Sequence, residues 1–137
     1  MTTKNILLVE DSTADAYLIQ RAVKDCGRDL QLWTMPDGGE ALQFLRKDHP
    51  LAHVPTPTLI LLDLGLPTMS GIQLLFEIRQ LPAYQETPIV ILSRLEKERE
   101  EAFCLHLGAN AYVEKSSNFY AFFNSIKVLV EHWLGKN

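Results

Sequence analysis

Carboxylate, hydroxyl and ammonium groups follow four apolar segments of the chain, each at the point where the segment ends. These groups belong to Glu10, Asp11, Asp63, Ser93 and Lys115. Because ligands of open α/β sheets bind outside the carboxyl ends of parallel strands, we expect these side chains to meet at one edge of a sheet. Together they have the chemistry that is needed to handle a phosphate group.

The acidic members of this set require a positive partner. If Glu10, Asp11 and Asp63 lie within a few ångströms of one another, each pair of carboxylates repels by about 4 kcal/mol at a surface-like effective dielectric. Hard oxygen ligands of this kind suit Mg²⁺, which commonly uses one or two carboxylates together with substrate phosphate. Lys115 and Ser93 would then supply a point charge and a hydroxyl to the remaining phosphate oxygens.

Asp63 is the candidate nucleophile, because it stands alone at the end of the most apolar segment, which predicts the central strand. A carboxylate in such a place can form an aspartyl-phosphate. Each feature alone has a structural alternative: an acidic pair after a strand often marks a helix N-terminus. The occurrence of all of them, at four strand ends and in this order, favours a phosphate site.

The elements that must position these groups alternate along the chain. Unbroken Val, Ile and Leu runs predict strands that are buried on both faces of a parallel sheet. These runs are residues 6–9, 59–62, 89–92 and 111–113, with a weaker strand at 30–35. Helical patterns between and after them complete five β/α pairs. We therefore expect an α/β fold in which residues 1–137 form a single domain without an output domain.

Two helices before the last one carry specific expectations. Ser12 and Asp15 predict a capping box for a first helix. That helix should direct Tyr17, Leu18, Ala22 and Val23 inward. A charged helix is expected at residues 96–107, ending at Gly108.

The last helix carries more apolar residues than one core-facing stripe needs. The expected stripe is Phe119, Phe122, Ile126, Leu129 and Trp133, and the surplus is Tyr120, Phe123, Val128 and Val130. The surplus indicates either a protein-binding surface, such as a homodimer contact, or deeper burial.

Composition narrows the class of protein. A net charge of −4 and a pI near 5.5 weigh against general nucleic-acid binding, so no DNA partner is expected. The two cysteines have no metal or redox spacing, and no apolar stretch approaches the roughly 18 residues of a membrane span. The N-terminus leads directly into a strand rather than a signal peptide. These features favour a cytoplasmic protein.

Residues 46–58 contain three prolines and predict a stiff, extended loop. Two interpretations stay open for it. It is either a long surface connection or a loop that docks a partner.

Four motifs occur in order along the chain: Leu7-Leu8-Val9-Glu10-Asp11, Asp63 with Pro67 and Gly71, Ser93, and Gly108-Ala109-Asn110-Ala111-Tyr112-Val113-Glu114-Lys115. In this order they resemble the receiver domain of bacterial two-component response regulators, over essentially the whole chain. Residues 50–57 and Glu131-His132-Trp133 are similar to the stand-alone regulators that are associated with phytochrome-type histidine kinases.

The resemblance implies a flavodoxin-like (βα)5 doubly wound sheet with strand order 2-1-3-4-5, and a phosphoryl group accepted from a histidine kinase. It implies that Asp63 is the phosphoacceptor and Lys115 the phosphate-binding lysine. It further implies that Ser93 and Tyr112 form the switch pair. The resemblance assigns Mg²⁺ to Glu10, Asp11, Asp63 and the backbone carbonyl of Gly65.

Three positions depart from the family pattern. Ser116 replaces a proline that usually follows a cis peptide bond, so the Lys115–Ser116 bond is either cis or trans. Arg94 replaces a small residue, and Gly65 replaces a polar one. One alternative function is therefore a receiver-like binding module that works without phosphorylation. A dehalogenase-type phosphatase is disfavoured, since Gly65 cannot act as its general acid.

Overall fold

The computed structural model describes residues 3–27, 29–49, 51, 53–94 and 98–135. Five strands form one parallel sheet in the order β2-β1-β3-β4-β5. The strands are β1 (Lys4–Val9), β2 (Leu30–Met35), β3 (Leu59–Asp63), β4 (Ile89–Ser93) and β5 (Ala111–Glu114). The helices are α1 (Thr13–Lys24), α2 (Gly38–Leu45), α3 (Gly71–Gln80), α4 (Glu98–His106) and α5 (Phe119–Leu134), with a 3-10 turn at Pro82–Tyr84. The predicted flavodoxin-like fold and strand order are confirmed.

The sheet has an apolar core on each face, as a doubly wound fold requires. Alternate residues of β1 show the division: Leu7 and Val9 pack with α2 and α3, whereas Ile6 and Leu8 pack with α1 and α5. Every residue of β3 and β4 is buried. The unbroken apolar runs of the sequence therefore correspond to strands covered on both faces.

Helix α1 begins as predicted, but one of its side chains faces the other way. The Ser12 hydroxyl accepts from the backbone N–H of Asp15 at 3.2 Å, which is half of a capping box. The reciprocal half is absent, since the Ser12 N–H donates to Glu10 instead. Tyr17 is 60% exposed, so its predicted inward orientation is wrong. The buried face of α1 includes Ile19 and Ala22 and lies nearly opposite Tyr17, because successive helical residues are about 100° apart.

Helix α5 buries a wider face than one stripe. The residues that were expected in the core and are buried are Phe122, Ile126 and Leu129, with Trp133 half-buried. One prediction was wrong: Phe119 is 63% exposed. Of the surplus residues, Val130 is fully buried, which is the deeper-burial alternative. Phe119 is the first residue of the helix, beyond the core, whereas Val130 packs into the apolar cluster that α5 shares with α1. Tyr120 and Val128 remain exposed.

The guanidinium of the half-buried Arg79 ties α3 to the start of β4 and the end of α4. It donates to the carbonyl oxygens of Gly108, Tyr84 and Thr87 and to the side-chain oxygen of Asn110, at 2.6–3.0 Å. No carboxylate is among these hydrogen-bond partners. Burial lowers the pKa of Arg79. This clamp fixes the last β/α unit against the middle of the sheet.

The described part of the proline-containing loop is attached to the body of the protein. Val54 is buried, and Thr56 forms a side-chain hydrogen bond with Tyr84. Thr58 donates to the carbonyl oxygen of Asn5 through its N–H at 2.8 Å. Pro50 lies outside the described residues, as do residues 96 and 97 of the expected charged helix. In its described part that helix spans Glu98–His106.

No helix in the described part of the chain combines the length and apolar character needed to cross a membrane.

Candidate functional site

The carboxyl ends of the strands surround a cleft of about 370 Å³. Its lining residues are Glu10, Asp11, Ser12, Asp15, Asp63, Gly65, Ser93, Arg94 and Lys115. Each of the acidic, hydroxyl and ammonium groups expected to converge is present. Among these lining residues four carboxylates face two cations, which leaves an excess of negative charge.

Asp63 ends the central strand β3 and is 7% exposed. The neighbouring Leu64 N–H donates to the Leu92 carbonyl at 3.3 Å, which continues the pairing with β4 just past the acidic residue. Gly71 lies against the same backbone. A Cβ at Gly71 would be 2.4 Å from the carbonyl oxygen of Asp63, so only glycine fits there without a shift.

Lys115 directly follows β5, and its ammonium group lies among carboxylates. Its Nζ is 2.5 Å from Glu10, 3.0 Å from Asp15 and 3.1 Å from Asp63. The backbone N–H of Lys115 donates to the Ser93 carbonyl at 2.7 Å, which fixes the backbone at this point. The side chain is only 3% exposed. Burial alone would lower the pKa of Lys115. The hydrogen bond with Glu10 and the charges of Glu10 and Asp63 raise that pKa above its usual value, so the ammonium stays charged.

Glu10, the carboxylate that pairs with Lys115, has a fully buried side chain. One carboxylate oxygen accepts from Lys115 and the other from the Ser12 N–H at 3.1 Å. Burial raises the pKa of Glu10 more than its hydrogen bond with Lys115 lowers it. Glu10 is therefore a buried carboxyl at the base of the cleft with both oxygens hydrogen-bonded.

Glu10, Asp11 and Asp63 form a group that fits a divalent cation. One carboxylate oxygen from each lies within 4.8 Å of the others. Glu10 and Asp63 are buried, and Asp11 is exposed at the mouth of the cleft. Oxygen donors with excess negative charge are the set that Mg²⁺ and similar hard cations prefer. Gly65, the predicted backbone ligand, is exposed and also lines the cleft.

Ser93 and Tyr112, the predicted switch pair, are in contact. Ser93 is 2% exposed at the end of β4, and its side chain is hydrogen-bonded with the Tyr112 side chain. Tyr112 is half-buried and packs against the core on the α3 side of the sheet. Burial raises the pKa of the Tyr112 hydroxyl. The pair links the cleft to the surface formed by β5.

Asp15 is a site residue that the sequence reasoning missed. It is 8% exposed, and its two carboxylate oxygens accept from Arg94 Nη2 at 2.7 and 2.9 Å. One of them also contacts Lys115. Its position four residues after Asp11, in the first turn of α1, was the available signal, because it keeps a fourth carboxylate near the same strand end.

The structure also settles how two departures from the family pattern are accommodated. No cis peptide bond occurs among the residues that the structure describes, so the Lys115–Ser116 bond is trans. Lys115 nevertheless reaches the acidic group. Arg94 is half-exposed and its guanidinium is held by Asp15.

Comparison with known proteins agrees with this geometry. Residues 6–127 match the response regulator receiver domain family. The response regulator Rcp1 of Synechocystis sp. is 37% identical over 131 residues, which cover 96% of this chain and 89% of Rcp1.

Solved structures give the same result. The phosphorylated cyanobacterial phytochrome response regulator RcpA superposes with a TM-score of 0.92 at 38% identity, covering 97% of this chain and 95% of RcpA. The Mn²⁺-bound form of Rcp1 gives a TM-score of 0.90 at 37% identity, covering 96% and 94% of the two chains. Fold, sequence and the converging acidic group agree, and the chain belongs to the response regulator receiver domain family.

Proposed function

We propose that the protein is a phosphoacceptor switch that takes a phosphoryl group from a histidine kinase onto Asp63. The observation that carries this proposal is the convergence of Asp63, Lys115 and Ser93 with a divalent-cation group in one cleft. Asp63 is the only one of the three carboxylates in that group that ends the central strand. It is therefore flanked by groups from β1, β4 and β5.

The proposed transfer is a nucleophilic displacement at phosphorus. An Asp63 carboxylate oxygen attacks the phosphorus of the phosphohistidine, a P–O bond forms and the P–N bond breaks. The electron pair of that bond leaves with the imidazole nitrogen, which then takes a proton from solvent. Lys115 compensates the negative charge on the phosphoryl oxygens, and Ser93 donates a hydrogen bond to one of them.

The family implies Mg²⁺, and the donor set of the cleft fits it. We assign Glu10, Asp11, Asp63 and the Gly65 carbonyl as the residues that would hold the ion. When bound, Mg²⁺ supplies positive charge that offsets the charge of the phosphoryl oxygens. The exposed position of Asp11 leaves that side of the cleft open to an incoming phosphodonor.

The proposed response passes through Ser93 and Tyr112. A phosphoryl group that recruits the Ser93 hydroxyl would change its hydrogen bond with Tyr112. Because Tyr112 is half-buried on β5, its reorientation would change the surface formed by α4, β5 and α5. The protein itself is not a classical enzyme in this proposal, since the phosphoryl group is the signal that it carries.

The relatives suggest the partner. RcpA is described as a phytochrome response regulator, and we propose a phytochrome-type histidine kinase as the phosphodonor for this chain as well. We further propose that residues 1–137 act as a stand-alone receiver domain in the cytoplasm, because the chain and Rcp1 cover each other almost fully. Its output is then a protein contact or a relay of the phosphoryl group.

A homodimer through α5 is a further part of this proposal. Phe119, Tyr120 and Val128 are exposed at 63%, 81% and 58%, which is unusual for three large apolar residues of one helix. Pairing of this face in an isologous dimer would cover them.

Phosphorylation is tested with acetyl phosphate and Mg²⁺, or with a cognate kinase. The wild type should gain one acid-stable, hydroxylamine-labile phosphoryl group, and Asp63→Asn should gain none. Asp25→Asn, which removes an exposed carboxylate elsewhere, should label like the wild type. Failure of every donor to label the wild type would favour the phosphorylation-independent binding module.

A further inference from the structure

Asp15 joins the two cations of the cleft. Both of its oxygens accept from the Arg94 guanidinium, at 2.7 and 2.9 Å, and one also lies 3.0 Å from the Lys115 ammonium. The Asp15 side chain is 10% exposed, whereas that of Arg94 is 55% exposed. A nearly buried carboxylate is thus held by one fixed and one half-exposed cation.

Lys115 already donates hydrogen bonds to two carboxylates, Glu10 and Asp15, and its Nζ also lies 3.1 Å from Asp63. An ammonium group has three N–H donors, so a phosphoryl group on Asp63 competes with Glu10 and Asp15 for the same cation. Glu10 is fully buried, whereas Asp15 lies beside the half-exposed Arg94. Asp15 is therefore the partner that can yield its contact, and its release also frees Arg94.

We propose that Asp15 is a positioning residue that holds Lys115 and Arg94 before phosphorylation and gives both cations up to the phosphoryl group on Asp63. The proposal rests on the proposed function of Asp63. Before transfer, Asp15 keeps Arg94 at the rim of the cleft and Lys115 over the acidic group. After transfer, its negative charge competes with the phosphoryl oxygens for both cations, so Asp15 opposes the phosphorylated state.

Competition and a purely structural role of Asp15 predict opposite changes in the affinity for a phosphoryl analogue. The Asp15 and Asp63 oxygens contact the same ammonium and are therefore no more than about 6 Å apart. Neutralising Asp15 should strengthen binding of a phosphoryl analogue, and at this distance we expect about a tenfold gain in affinity. If Asp15 merely stabilised the cleft, its loss would loosen the site and weaken binding.

The test uses the full chain and titrates beryllofluoride, a phosphoryl analogue, in the presence of Mg²⁺, with binding followed by NMR. Asp15→Asn should bind about tenfold more tightly than the wild type. Arg94→Gln should bind more weakly than the wild type. The loss caused by Arg94→Gln should be larger when it is added to Asp15→Asn, because Asp15→Asn leaves Arg94 free to bind the analogue. Asp25→Asn is the matched control, because it also removes a carboxylate that pairs with a lysine. Asp25 lies at the C-terminal end of α1 and pairs with Lys127 at 2.7 Å.

The outcomes separate the two proposals. A wild type that binds no beryllofluoride overturns the proposed function and this inference with it. A wild type that binds, together with a folded Asp15→Asn of equal or weaker affinity, overturns the inference alone. If Asp15→Asn fails to fold, Arg94→Gln decides: weaker binding supports the exchange, and equal or tighter binding overturns it.

Discussion

Replacement of Gly71 by alanine should disturb the site through the backbone rather than through any polar group. The added Cβ would lie 2.4 Å from the Asp63 carbonyl oxygen and 2.6 Å from the Leu64 Cα. Ordinary van der Waals contact begins near 3.4 Å, so the two segments must separate by about 1 Å. Both obstructing atoms belong to the backbone and cannot rotate away, as a flexible side chain would.

The expected cost follows from that displacement. Over-packing of a well-packed interior typically costs about 1–3 kcal/mol. Because backbone lies on both sides of the added methyl group, we expect Gly71→Ala to lose about 3 kcal/mol of the free energy of unfolding. A part of the displacement must fall on Asp63, which should slow its labelling by acetyl phosphate.

Urea denaturation and acetyl phosphate labelling measure the two effects on the same samples. Gly65→Ala is the control, since its Cβ would lie an ordinary 3.7 Å from the Asp63 carboxylate. This control should stay within about 0.5 kcal/mol of the wild type. If Gly71→Ala were as stable as Gly65→Ala and labelled at the wild-type rate, the reasoning from close approach would be refuted.

Three further changes test the charges and packing. Lys115→Met leaves a buried carboxylate without its cation, so urea denaturation in EDTA should show a loss of about 3–5 kcal/mol, partly recovered in Mg²⁺; unchanged stability in EDTA would contradict the ion pairing. Arg79→Lys loses the forked contacts to carbonyl oxygens and should cost about 3 kcal/mol in thermal unfolding, whereas a loss below about 0.5 kcal/mol would show that the clamp is not needed. Val128→Glu should stay folded by circular dichroism and shift sedimentation towards monomer, while Val130→Glu should unfold; a wild type that sediments as a monomer would exclude the unphosphorylated dimer.

The sheet could be predicted because its signals are local. Strands β3 and β4 are continuous apolar runs, and a strand buried on both faces needs no polar alternation. Asp63, Ser93 and Lys115 follow strand ends, so the parallel topology alone brings them to one edge. The convergence of the site was therefore readable from the order of its residues.

What the sequence missed or left open depends on contacts between distant segments. For Val130 the sequence left exposure and burial open, because one stripe is enough for a core-facing helix, and packing of α5 against both α1 and the sheet is what buries it. Asp15 was read as part of a helix cap, since that role needs only the local pattern of residues 12–15. Its ionic partners Arg94 and Lys115 are 79 and 100 residues away, and no local pattern indicates them.

The central claim is that Asp63 carries the phosphoryl group, and chemical mapping of the modified residue tests it most directly. Protein treated with acetyl phosphate and Mg²⁺ is reduced with borohydride, which converts an aspartyl-phosphate to homoserine, and is then digested and sequenced by mass spectrometry. The account predicts homoserine at position 63 and at no other aspartate. Homoserine at Asp11 or Asp15 with an unchanged Asp63 would contradict it.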